Sequence, residues 1–253
     1  MSSTPSTPTP EAPAEMNSIA RVFGALFNPR PTFESIVRRP TWLLPIILGC
    51  IIFIGLVAAF GHRGGWESFM EKQDASNSSI QNMTPEARQA LIDRQVKIAP
   101  IFGYVEGVIV PFISALAVAG VLLGAFTVTG TTKTDFKTSL GIVAYAGLPW
   151  IIQGLLGILV LFLKDPSTVD LQNLVASNPG AILSSDAPKW LAALLGSIDI
   201  FAIWNMVLIG IGFSATNPKK LSVGKAFGTV LAVWSFYVIL KVAAIAAVSM
   251  LMS

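Results

Sequence analysis

The chain has 253 residues, 53% of them apolar and only 12% charged, with a mean hydropathy of +0.68, whereas a soluble domain carries about 25% charged residues. That balance excludes an ordinary soluble globular domain and points to an integral membrane protein. One cysteine (Cys50), one histidine (His62) and a net charge of +3 leave no disulfide framework, no Cys/His metal site and no basic stripe for nucleic acid, so neither cofactor nor metal is expected.

Residues 1–15, MSSTPSTPTPEAPAE, are rich in Ser, Thr and Pro without an apolar run. They are expected to form a disordered tail and not a cleavable signal peptide, which leaves targeting to the first span. In residues 16–40, Met16, Ile19, Val22, Phe23, Leu26 and Phe27 recur at helical spacing, Pro29 and Pro31 interrupt, and Phe33, Ile36 and Val37 resume before Arg38 and Arg39. This predicts two short amphipathic helices in the headgroup plane; the alternative is that these faces pack on the membrane bundle.

Five apolar segments follow, at about 42–60, 105–128, 139–163, 190–213 and 226–252, each near the roughly 20 residues a bilayer core demands. The expected fold is therefore all-α: a five-transmembrane-helix bundle over 41–253, preceded by the interfacial helices, with outer loops at 61–104 and 164–189. Within the first outer loop, Thr84 as N-cap, Pro85 and Glu86 mark the start of a helix feeding the second span, with a break expected near Pro100. The third loop is expected to hold one short helix around Leu171. Pro45, Pro111 and Pro149 predict kinks, and Gly120 with Gly124 forms a GxxxG step that permits close helix approach.

Basic residues near the span ends set orientation. Arg21, Arg30, Arg38 and Arg39 precede the first span, Lys133 and Lys137 lie in the second loop, and Lys219, Lys220 and Lys225 lie in the fourth. These positions form one face, expected to be cytoplasmic, with the C-terminus on the other side. Anionic lipid headgroups are the expected partner of that face, together with unidentified proteins and a second copy of the chain.

Three polar side chains share a depth in the membrane. Gln153 lies about ten residues before the outer end of the third span, Asp199 about nine after the start of the fourth, and Lys241 about eleven before the end of the fifth. A carboxylate at that depth costs roughly 2.5–3.5 kcal/mol on insertion scales. An Asp199–Lys241 ion pair with Gln153 as a third member would offset it. The cluster then either fixes helix register or lines a cavity for a solute, ion or proton. No catalytic residue is assigned, because no nucleophile, base and third group can be assembled near one face.

Three stretches carry a family resemblance. "NPRPTFESIVRRPTWLLPIIL", "GTTKTDFKTSLGIVAYAGLPWII" and "IDIFAIWNMVLIGIGFSATNPKKLSVGKAFGTVLAVW" resemble, in order, the entry segment, the third span and the fourth and fifth spans of bacterial members of the YIP (Ypt-interacting protein) family. The resemblance runs from about Asn28 onward. It implies a five-span bundle with a cytoplasmic N-terminus. In eukaryotic relatives it implies binding of Rab-type GTPases and a part in vesicle trafficking, a pathway that bacteria lack. Asp199 falls on the family's Asp-x-Phe-x-x-Trp pattern. Two functions are expected to compete: a membrane scaffold that engages lipid and protein through the basic face, and a small-solute or ion permease using Gln153, Asp199 and Lys241. A lipid-handling protein with a lateral opening between kinked spans is a third.

Overall fold

The computed structural model describes residues 16–75, 78–132, 134–165, 168–169, 171–184 and 187–251. The expected tail 1–15 and Lys133 lie outside the described residues. Among those described there are helices and turns and no strand.

Helix α1 (Ser18–Phe27) starts where the Asn17 side chain accepts from Ala20 N at 2.8 Å, and Pro29 opens α2 (Pro29–Arg38) one residue after α1 ends. The two helices are not alike in burial. Thr32, Phe33 and Ile36 of α2 are buried in the bundle core, as the packing alternative holds, whereas Ile19, Phe23 and Phe27 of α1 are 65%, 62% and 80% exposed. Those three lie four residues apart, so they form one apolar stripe on the outside of the molecule.

Arg21 locks the pair together. It is buried, and its guanidinium donates to Ser35 Oγ, Ser35 O, Arg39 O (2.8 Å) and Thr41 Oγ1 (2.9 Å). The charge thus rests on the carbonyls that end α2, where the negative end of the helix dipole favours a cation. Thr41 Oγ1 passes the network on to Tyr145 Oη at 3.3 Å, and Tyr145 is fully buried.

Four helical stretches are long and apolar enough to cross a bilayer: α3 (Leu43–His62), α6 (Pro85–Val128), the pair α7 (Phe136–Ala146) and α8 (Leu148–Leu163), and α11 (Val223–Leu251). α9 (Lys189–Ser197) and α10 (Ile200–Thr216), bent by 46° at their junction, together make up the fourth apolar segment in chain order and, taken as one broken span, bring the crossings to five. The all-α membrane bundle expected from the sequence is therefore the fold, with one span broken. Large apolar side chains on α6, α8 and α11 stay exposed, as helices facing lipid require.

Several local expectations are corrected. The first outer loop contains α4 (Gly65–Ala75) and the single turn α5 (Ser78–Gln81). Trp66 of α4 packs edge-on against Phe60 and Phe69 at 5.1 and 6.3 Å between ring centres. α6 begins at the Thr84 cap as expected but runs unbroken through Pro100 and Pro111 for 44 residues. Pro45 falls in the first turn of α3, where the backbone N–H has no helical partner to lose. Pro149 opens α8, and the carbonyl of Ala146 left over at that break accepts from Asn205 Nδ2 at 2.8 Å. The short helix expected near Leu171 is a single 3-10 turn, Leu171–Asn173, followed by another at Pro179–Ile182.

The core sits towards one end of the bundle, between α2, α7 and α10. Phe126 and Phe213 stack there at 4.2 Å, joined by Ile142, Leu208 and Leu221. α10 and α11 cross closely at Gly210, where an added Cβ would lie 3.1 Å from the Phe227 backbone. Gly124, by contrast, has nothing within 4 Å and Gly120 only the Phe136 ring at 3.9 Å, so the GxxxG step serves no close crossing among the described residues.

Candidate functional site: a broken span and a polar recess

The fourth apolar segment breaks at Ser197–Asp199. Asp199 leaves the helical region (φ −100°, ψ 141°) and becomes the N-cap of α10, its Oδ1 accepting from Phe201 N at 2.8 Å and Ala202 N at 3.3 Å. A helix start exposes unpaired N–H groups and a positive dipole end, both of which a carboxylate satisfies. The other oxygen, Oδ2, accepts from Ser177 Oγ and, at 3.4 Å, from Gln153 Nε2. Asp199 is 5% exposed. All of its partners are hydrogen-bond donors of the protein itself.

Ser177 reaches this depth because the third loop folds back into the bundle. Leu174 packs on Gly157 of α8, and Ser177 then meets Gln153 at 3.2 Å, about ten residues below the end of α8 at Leu163, or roughly 15 Å along the helix. Ile200 N donates to Ser177 O at 3.2 Å, which fixes the loop to the start of α10. Irregular backbone at membrane depth is tolerated where protein covers it or where it lines a cavity; here both hold.

Gln153 and Asp199 thus meet, but Lys241 does not join them as an ion pair. Its Nζ donates to Ser197 Oγ at 3.2 Å, on the α9 side of the break, and it has no carboxylate partner among the described residues. A continuous helix would aim the Asp199 carboxylate at its neighbours, whereas the break turns it onto the backbone N–H groups that start α10. Lys241 and Asp199 nevertheless share, with Gln153, Ser197, Asn178 and Tyr237, the lining of one recess of about 450 Å³ between α8, α9, α10 and α11. Ser177 is the functional residue that the sequence reading missed; a loop serine carries no periodic signal.

A second cluster lies at the opposite end. The loop after α6 and the loop after α10 are joined there by Asn217 Nδ2 to Thr131 O at 3.0 Å and by the Thr132 and Thr216 hydroxyls at 2.7 Å. α2 packs on the same end, with Phe33 beside Gly212 and Ile36 beside Gly141. Arg30, Arg38, Arg39, Lys137, Lys219, Lys220 and Lys225 are all exposed on these elements. Asp135 caps α7 there, and its acceptance from the Thr138 backbone N–H at 2.7 Å holds its carboxyl below the usual range, with smaller help from the Thr138 hydroxyl and Lys137.

These features define a multi-pass α-helical membrane protein with a re-entrant loop and a carboxylate-capped break in its fourth crossing. The Yip1 domain family profile matches residues 23–247, and the chain belongs to that family. It is similar to the membrane protein YknW of Bacillus subtilis (strain 168), 26% identical over 204 residues that cover 80% of this chain and 81% of that protein. No solved structure matches.

Proposed function

We propose that this Yip1 domain protein is a non-enzymatic scaffold of the bacterial inner membrane, which organises lipid and protein partners through its basic end. The observation that carries the reading is the coincidence, on one end, of exposed Arg30, Arg38, Arg39, Lys137, Lys219, Lys220 and Lys225 with the exposed apolar stripe Ile19, Phe23 and Phe27. Such a surface suits the headgroup layer: the stripe enters the acyl boundary while each basic residue contributes about 1 kcal/mol beside anionic lipid. By the excess of Lys and Arg in short loops, this end faces the cytoplasm, with the N-terminus on that side.

The test uses the full chain in nanodiscs of phosphatidylcholine and phosphatidylglycerol, with retained lipid counted by mass spectrometry. Lys219→Glu, Lys220→Glu and Lys225→Glu together should reduce phosphatidylglycerol enrichment in a salt-sensitive way while the protein stays monodisperse. Unchanged enrichment sinks the reading. The second reading, a small-solute or ion permease, draws on the polar recess beside Lys241. The internal engagement of both Asp199 oxygens weighs against the aspartate as its ligand.

A further inference from the structure

The recess beside Lys241 has an apolar neighbour. A cleft of about 320 Å³ opens between α3, α6, α8 and α10, lined by Pro45, Phe53, Val110 and Ile151 among others, and it shares Trp150 and Asn205 with the recess. A mixed polar recess and a mainly apolar cleft therefore meet at one wall. The recess holds an ammonium group, half-buried at membrane depth, whose bond is to a neutral hydroxyl. The cleft is lined mainly by aliphatic and aromatic side chains, with Ser114 and Asn205 among them. Trp150, in the shared wall, and Tyr237, in the recess, are 44% and 61% exposed.

We infer that the two cavities together form a binding site for one anionic phospholipid, taken laterally from the surrounding bilayer, with its phosphate on Lys241 and an acyl chain in the cleft. Charge complementarity selects the head. A lysine in a span is stabilised by an anionic partner, and the Asp199 carboxylate, which lines the same recess, is already committed to Ser177, Gln153 and the start of α10. Ser197 Oγ, which accepts from Lys241, retains its own proton on Ala193 O at 2.7 Å, so it orients the lysine without neutralising it. The apolar cleft selects a chain over a free anion. This site lies at the break in the fourth span and is separate from the basic end.

Two glycines in the walls of the site have room for a Cβ. A Cβ added at Gly196, in the recess wall, meets only Asn178 Oδ1 at 3.9 Å, and one added at Gly49, in the cleft wall, meets only Pro111 Cβ at 3.9 Å. Gly196→Leu should fill the recess and Gly49→Leu the cleft.

The experiment is native mass spectrometry of the full chain in detergent at high salt, with phosphatidylglycerol and phosphatidylcholine of equal chain length. The wild-type protein should hold one phosphatidylglycerol in preference to phosphatidylcholine. Lys241→Gln should lower that occupancy about tenfold, the scale of one lost charged contact, and Lys241→Arg should keep it. Gly196→Leu should abolish it, while Gly49→Leu should weaken long-chain lipid and spare a six-carbon analogue. Neutralising Lys219, Lys220 and Lys225 to Gln should leave this bound lipid in place, so failure here and failure of the scaffold reading are distinguishable. Equal occupancy in wild type and Lys241→Gln would overturn the site. So would binding of inorganic phosphate alone with the same Lys241 and Gly196 dependence, or of palmitate in preference to the phospholipid, each of which assigns a different ligand.

Discussion

The carboxylate of Asp199 is stable at membrane depth because its charge is used twice. Oδ1 closes the start of α10 and Oδ2 ties the re-entrant loop to α8. Hydrogen bonds to a charged group contribute roughly 1.5–3 kcal/mol each, enough to offset the insertion cost of a few kcal/mol. Asp199→Ala should therefore lower stability by about 2–3 kcal/mol, from the lost cap and the stranded Ser177 and Gln153. Asp199→Asn should cost less than half as much, because the amide oxygen still accepts from Phe201 and Ala202. Thermal unfolding of the detergent-solubilised protein checks this, and equal losses in the two variants would contradict the capping account. The residue type and its depth were legible in the sequence, and so was its neighbour Gln153. The rest of its surroundings was not: Ser177 comes from a loop without periodicity, and the break turns the carboxylate onto the start of α10, so that Lys241 shares its recess without pairing with it.

At the level of elements, spans were legible wherever hydrophobicity alone decides them, and their internal breaks were not. Pro149 reads as a kink and does end a helix, yet Pro100 and Pro111 read alike and α6 continues through both. The difference lies in tertiary support. Asn205 Nδ2 donates to the carbonyl freed before Pro149, whereas α4 packs along the first half of α6, around Pro100. The sequence signal for the fourth break was present in Ser-Ile-Asp, an N-cap residue directly before an apolar run, but it sits in the middle of a segment that hydropathy reads as continuous. A cap outside the bilayer offers a cleaner test. Asp135 at the start of α7 has its carboxyl held down by the Thr138 N–H, so its folded value lies below the unfolded one, near 3.9. Its stabilisation is then complete above about pH 4 and is lost as pH falls through the lower folded value. Asp135→Ala should accordingly cost about 1 kcal/mol at neutral pH, and the gap to wild type should narrow only below about pH 4 in thermal melts. A gap that closes between pH 5 and 7 would place the effect on another group.

Over the whole molecule, charge and packing divide along the same axis. The best-packed core, formed by α2, α7 and α10, lies at the end that carries the exposed Arg and Lys residues, and the other end is built from α4, the first half of α6 and the re-entrant loop. Short basic loops are retained on the cytoplasmic side during insertion. The first outer loop, at 61–104, carries five basic residues of its own, which compete with the basic end in setting the orientation. Cysteine labelling tests this directly, since the native Cys50 is buried in α3. In a Cys50→Ala background, Ser222→Cys reports the basic end and Met83→Cys the opposite one; both positions are exposed. An impermeant maleimide should label the Met83 variant in cells with a permeable outer layer and an intact inner membrane, and label the Ser222 variant only after that membrane is opened. The reverse pattern would invert the topology and move the basic surface, with its proposed partners, to the far side of the bilayer.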